Sequence, residues 1–146
     1  MEVPLGRFLG DRRGSRRARE RRLVVIPTEI RAQLRAHARA EEPNEACGLV
    51  ALRDGTAERY IPARNAAASP YRFELETEPE NWFLEDDGYE LAVFHSHVSS
   101  APRPSRTDVE NIGLWQDRPY LILSLGTGEL AAWQITDGEI SPLSLS

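Results

Sequence analysis

The chain has no lysine; all eighteen of its basic residues are arginine. It therefore offers no side-chain ammonium for isopeptide attachment, which matters only for a protein that works near such chemistry. Arginine-favouring codon usage in a GC-rich genome accounts for the same fact. There is a single cysteine, Cys47, so no disulfide can form within the chain, and an intracellular, cytoplasmic setting is expected. Apolar runs are short: none approaches the ~20 residues needed to span a bilayer. The longest near the N-terminus, LVVI, is also too short for a secretory core, so the arginines before it make no export signal. Histidine is scarce, with three in the chain, and two of them stand two residues apart in FHSHVSSAPRPSRTD, residues 94–108.

What is present fits an ordinary globular protein. With 146 residues, 40% apolar and 28% charged, the chain is expected to form one domain. A domain of this size buries roughly 68–70% of its unfolded surface. Charge is unevenly placed. Residues 1–22 carry a net +5, all from arginine, whereas residues 23–146 carry a net −10. The first segment is expected to be a disordered arm (1–22) and the second the folded domain (23–146). A basic arm can touch nucleic acid or an acidic partner, but the acidic body argues against nucleic acid as the main one, and no membrane partner is implied.

Along the chain, RLVVI predicts a short strand and Pro27 a turn. A helix follows, with Thr28 as N-cap and Ile30, Leu34 and Ala38 on one face, ended at Pro43. His37 lies beside that stripe and reads as a half-packed helical residue. EACGLVALR and AERYIPARN predict a hairpin turning at Asp54-Gly55. YRFELET predicts an edge strand with Tyr71, Phe73 and Leu75 on one face, and EPENWFLEDDG a brief helix ended at Gly88. ELAVFHSH predicts a buried strand and SRTDVENIGLWQD a second amphipathic helix; PYLILSL, GELAAWQIT and EISPLSL predict three closing strands. Helices and strands do not alternate regularly, which favours an α+β fold with a mixed or antiparallel sheet.

In a strand, residues i and i+2 share a face, so His95 and His97 point the same way while Phe94 and Ser96 face the other. Two imidazoles can hold one ion, and a carboxylate from Asp108 completes a zinc-type donor set if the loop folds back, leaving a fourth position for water. A helix start explains Ser105 and Asp108 without any metal, as N-cap and N3. Glu45 adds to the case: an acid placed just before a buried apolar run can carry a proton between water and a leaving amine. Cys47 reads as a small buried strand residue. A two-histidine, one-carboxylate iron oxygenase uses the same donor types, though usually as HxD/E with a distant histidine. Metallo-β-lactamase-like hydrolases need more histidines than this chain has.

Glu45 before Cys47-Gly48, then His95-x-His97, seven residues, Ser105, two residues and Asp108, resembles the full JAMM/MPN metallopeptidase motif. PNEACGLV, ARNAAASPYRFELE and LILSLGTGELAAWQI are similar to compact bacterial members, over about residues 23–143. The resemblance implies a curved mixed sheet flanked by helices. It also implies one zinc ion on His95, His97 and Asp108, Glu45 as general acid/base, and Ser105 as an oxyanion donor. The implied activity is cleavage after the C-terminal Gly-Gly of ubiquitin-like or sulfur-carrier proteins, with the Tyr71–Phe73 edge as a place for the tail. A non-catalytic scaffold for the same partners is the alternative.

Overall fold

The computed structural model describes residues 21–146; of the expected N-terminal arm, residues 1–20 lie outside the described residues. The described chain forms strands β1 (Leu23–Val24), β2 (Cys47–Arg53), β3 (Thr56–Asn65), β4 (Leu75–Glu76), β5 (Glu90–His97), β6 (Tyr120–Ser124), β7 (Leu130–Thr136) and β8 (Glu139–Leu145). Two α-helices accompany them, α1 (Thr28–Glu41) and α2 (Arg106–Glu110), with 3₁₀ segments at Pro79–Asp87 and Gly113–Trp115. The strands make one sheet in the order β1-β8-β7-β6-β5-β2-β3-β4. β1–β8 and β5–β6 are parallel and the other neighbours antiparallel, so the sheet is mixed, as the irregular element order suggested.

The sheet curls far enough for its ends to be clasped. The Val25 N–H donates to the Gly55 carbonyl (2.9 Å) and its carbonyl accepts from Ala57 (2.8 Å), while the Ile26 N–H donates to the Ser146 carbonyl (2.8 Å). One short segment thus bonds to β8 on one side and to the start of β3 on the other.

Helix α1 lies against one face. Its buried residues Ile30, Leu34 and Ala38 recur every four positions and pack with Val50, Phe94, Leu121 and Leu123 of the sheet. The helix starts one residue earlier than expected: Pro27 holds the N-cap position with φ −58°, and Thr28 is the first helical residue with no side-chain cap bond. Proline's preset φ provides the entry geometry that a hydroxyl cap was expected to supply. The β2–β3 hairpin turns at Asp54 (φ +51°) and Gly55 (φ +81°), the two left-handed positions of a type I′ turn.

Two expectations are corrected. YRFELET pairs only at Leu75–Glu76, and Tyr71 is 80% exposed, off the face shared by Phe73 and Leu75. The reason lies in the Asn65 side chain, which takes the Arg72 carbonyl and the Glu74 N–H that a longer ladder would use. The second helix is also short. After Glu110 the chain tightens into the 3₁₀ turn, with Gly113 at φ +48°, so the capping signal marked where it starts but not how far it runs. The brief helix expected before Gly88 (φ +88°) is present as a 3₁₀ segment. No helix among the described residues is long and apolar enough to cross a membrane.

Candidate metal centre

The site lies on the sheet face away from α1. Phe94 packs under the helix, while Val93 of the same strand packs on the opposite face. His95 and His97, in phase with Val93, open onto that opposite face, as alternation requires. Strand β5 runs parallel to β6, and the crossover between them contains α2. Such a connection delivers the loop and the helix N-terminus to the carboxyl end of β5, where sites form in sheets of this kind.

The returning loop is held from three directions. The His97 Nδ1–H donates to the Ala101 carbonyl (2.8 Å), and the Trp133 indole N–H to the Pro102 carbonyl (2.8 Å). A Cβ at Gly126 would lie 2.4 Å from the Ser99 carbonyl oxygen, so only glycine lets the β6–β7 turn approach this closely. Ser105 then caps α2. Its Oγ accepts from the Asp108 N–H (3.0 Å), and its own N–H donates to Asp108 Oδ2 (2.8 Å). The capping box therefore aims the carboxylate as well as starting the helix.

The three expected ligand atoms converge. His95 Nε2 and His97 Nε2 are 3.1 Å apart, and Asp108 Oδ2 lies 3.2 Å from His97 Nε2 and 3.3 Å from His95 Nε2. A tetrahedral ion with ligands at ~2.0–2.1 Å needs donors roughly 3.3 Å apart, so the triangle has the right edge length. Tautomers fit too: with Nδ1 of His97 committed as donor, Nε2 presents its lone pair. Glu45, His95 and His97 form a second possible donor group, with atoms within 4.8 Å of one another.

Electrostatics agree with cation binding. Burial lowers the His95 pKa and favours the neutral, ligating form. Burial alone would raise the Asp108 carboxyl, but the two imidazoles and the Ser105 N–H outweigh it and hold it well below the usual carboxylate range. Burial alone would likewise lower His97, but Asp108, the Ala101 carbonyl and Glu45 hold it above its ordinary value. Glu45 is pushed up to about 8, first by burial and then by the Asp108 charge. Glu45 Oε1 and His95 Nδ1 are buried with no hydrogen-bond partner among the described residues. The donor set, its spacing and the unpartnered carboxylate oxygen fit a bound metal ion.

Supporting residues escaped the sequence reading. Phe73, expected only to meet substrate, stacks on the His95 ring (4.6 Å between centroids, 22°), and Tyr120 meets the same ring edge-on (5.2 Å, 72°). Burial, followed by the Asp108 and Glu45 charges, keeps the Tyr120 phenol protonated far above its usual range. Ser96 turns away from the site, as alternation predicts, and its Oγ accepts from the Ala46 N–H (2.9 Å), which fastens the Glu45 segment to the ligand strand. Cys47 is a buried strand residue. His37 is half-buried beside Tyr60, with 2.6 Å between its Nδ1 and the phenol oxygen.

Two clefts meet at the site. One, about 520 Å³, is bordered by Glu45, Tyr71, His97 and Ser105. The other, about 220 Å³, is bordered by Phe73, Leu75, Asp108, Leu114 and Tyr120. Tyr71 and Phe73 therefore line different clefts.

The chain resembles known proteins in sequence and in fold. Residues 27–136 match the Prok-JAB family, prokaryotic homologs of the JAB domain. The chain is 34% identical over 128 residues to the CysO-cysteine peptidase of Mycobacterium tuberculosis, covering 82% of this chain and 87% of that protein. It is 33% identical over 138 residues to the desampylase of Haloferax volcanii, covering 84% and 95%. The solution structure of DSY2949 from Desulfitobacterium hafniense superposes with a TM-score of 0.73 at 28% identity, covering 84% of this chain and 91% of that one. The chain belongs to the prokaryotic JAB-domain family.

Proposed function

We propose that the protein is a zinc-dependent metallopeptidase that hydrolyses the amide bond after the C-terminal Gly-Gly of a ubiquitin-like or sulfur-carrier protein, in the cytoplasm. The observation that carries this reading is the 3.1–3.3 Å triangle of His95 Nε2, His97 Nε2 and Asp108 Oδ2 beside the buried Glu45. Two imidazoles and one carboxylate are ordinary donors for a catalytic zinc site. When bound, the ion supplies Lewis acidity and makes water nucleophilic near neutral pH.

The chain's own residues then divide the remaining work. Glu45 Oε1 accepts a proton from the attacking water and returns it to the departing nitrogen, a role worth about 10²–10⁴ in rate. The Ser105 Oγ accepts from the Asp108 N–H, so its hydroxyl proton stays available to donate to the developing oxyanion. Single donors of that kind are worth roughly 2.7–4 kcal/mol. The Ala101 carbonyl and the Ser105 N–H hold His97 and Asp108 in their ligating orientations. The cleft along Arg72–Leu75 takes the extended glycine tail, for which no Cβ obstructs the approach. The Glu45 cleft takes the leaving side, where the proton is delivered.

The relatives named above include a peptidase of CysO-cysteine and a desampylase, which supports a carrier-protein substrate. The test is incubation with small ubiquitin-fold proteins extended past Gly-Gly, read by intact mass. Cleavage immediately after Gly-Gly that stops with chelator and returns with zinc is the expected result. Stable binding without cleavage in the zinc-loaded protein would replace the enzyme with a scaffold.

A further inference from the structure

We infer that Asn65 is a positioning residue that holds the Glu45 backbone and the tail-side wall of the site in one fixed relation; this rests on reading Glu45 as the proton carrier. Asn65 ends β3, is 9% exposed, and uses both ends of its amide twice. Its Nδ2 donates to the Glu45 carbonyl (3.0 Å) and to the Arg72 carbonyl (3.1 Å). Its Oδ1 accepts from the Ala67 N–H (3.0 Å) and the Glu74 N–H (3.0 Å). One side chain thus ties the Glu45 segment, twenty residues earlier in the chain, to the loop from Ala67 to Glu74 that follows β3.

Each of those stretches carries part of the site. Glu45 sits in a non-strand stretch just before β2, where its N–H donates to the Ser69 carbonyl (2.9 Å). The Ser69 bond and the Asn65 amide fix the Glu45 backbone from two sides. Arg72 and Glu74 flank Phe73, whose ring covers His95, so the same amide also sets the depth of that ring. A buried amide using all four of its bonding positions allows little play, because each lost bond leaves a backbone group unsatisfied. An asparagine meets this demand uniquely among residues of its size. Aspartate offers the acceptor but no amide donor, and leucine offers neither.

The experiment compares wild type with Asn65→Asp at pH 8, where the new carboxylate keeps the Ala67 and Glu74 bonds and loses its grip on Glu45 and Arg72. Asn65→Ala is the second variant should the first not fold. Ile30→Val, on the opposite face of the sheet, controls for stability loss alone. Three quantities are read on zinc-loaded protein: metal per chain, amide exchange by segment, and turnover of a Gly-Gly-extended carrier. The expected result is unchanged metal content and at least tenfold faster exchange across residues 44–46 and 66–74, with β5 and β6 unaffected. The fall in kcat is at least tenfold and larger than any change in KM, whereas Ile30→Val keeps wild-type kcat. Wild-type exchange around Glu45, or wild-type kcat in the folded variant, would overturn the inference. If wild type itself cuts no such carrier, the functional reading falls by that result, and the exchange measurement still decides whether Asn65 holds Glu45 in place.

Discussion

The proton-transfer role proposed for Glu45 falls in a place where burial opposes its charge. In Glu45→Gln the shape is kept while the proton-accepting oxygen is lost. Metal content should stay at the wild-type level and the hydrolysis rate should fall about 10²–10⁴-fold, checked by elemental analysis and single-turnover kinetics. The chelated protein gives a second signature. The Glu45 carboxyl is raised from 4.5 to about 8 in the folded state, so the folded chain holds this proton more tightly than the unfolded one does. By linkage, its contribution makes stability fall as pH rises from 4.5 toward 8. Relative to Glu45→Gln, wild type should therefore lose several kcal/mol at most across that window, read from denaturant midpoints at successive pH values in chelator. His97→Ala and Asp108→Ala should instead lose the ion. Either variant retaining one metal per chain would remove that residue from the ligand set.

Strand alternation and the helix cap brought His95, His97, Ser105 and Asp108 into view, and the resemblance to the JAMM/MPN motif joined Glu45 to them and implied the role of each. Ala101 acts through its carbonyl, Tyr120 meets His95 from the neighbouring strand, and Asn65 reaches Glu45 across twenty residues of chain. No local pattern announces such partners.

Elements with one dominant signal were read well, and those under competing demands were not. The repeat at Ile30, Leu34 and Ala38 gave α1, and ELAVFHSH gave β5 with the correct faces. YRFELET failed because a side chain from β3 takes its ladder groups, an event set by the tertiary fold. Helix α1 offers a test that separates stability from site formation. Leu34 is 1% exposed against the sheet face opposite the candidate metal centre. Leu34→Ala should cost about 2–5 kcal/mol, measured by chemical denaturation, while the folded fraction still binds one ion. Loss of metal at full folding would show that α1 shapes the site directly.

At the scale of the whole molecule, one ion would tie together strand β5 and the helix that returns after it. Ligands that bind only the folded chain stabilise by mass action, by about 2.7 kcal/mol at a hundredfold excess over Kd and about 4.1 at a thousandfold. Removing the metal should lower Tm, and added zinc should restore it. Lowering the pH should weaken binding, since His97 must give up its proton to ligate. A melting temperature indifferent to chelator would argue against a resident ion.

The clasp formed by Val24, Val25 and Ile26 has a practical consequence for anyone trimming this protein. The family match begins at residue 27, just beyond it. A fragment cut there would retain all five proposed site residues and still be damaged. β8 and the first residues of β3 would become bare edges able to recruit other chains, and the seats of Val24 and Ile26 beneath α1 would open to water. Aggregation of such a fragment would reflect where the cut was made and would carry no information about the chemistry of the site.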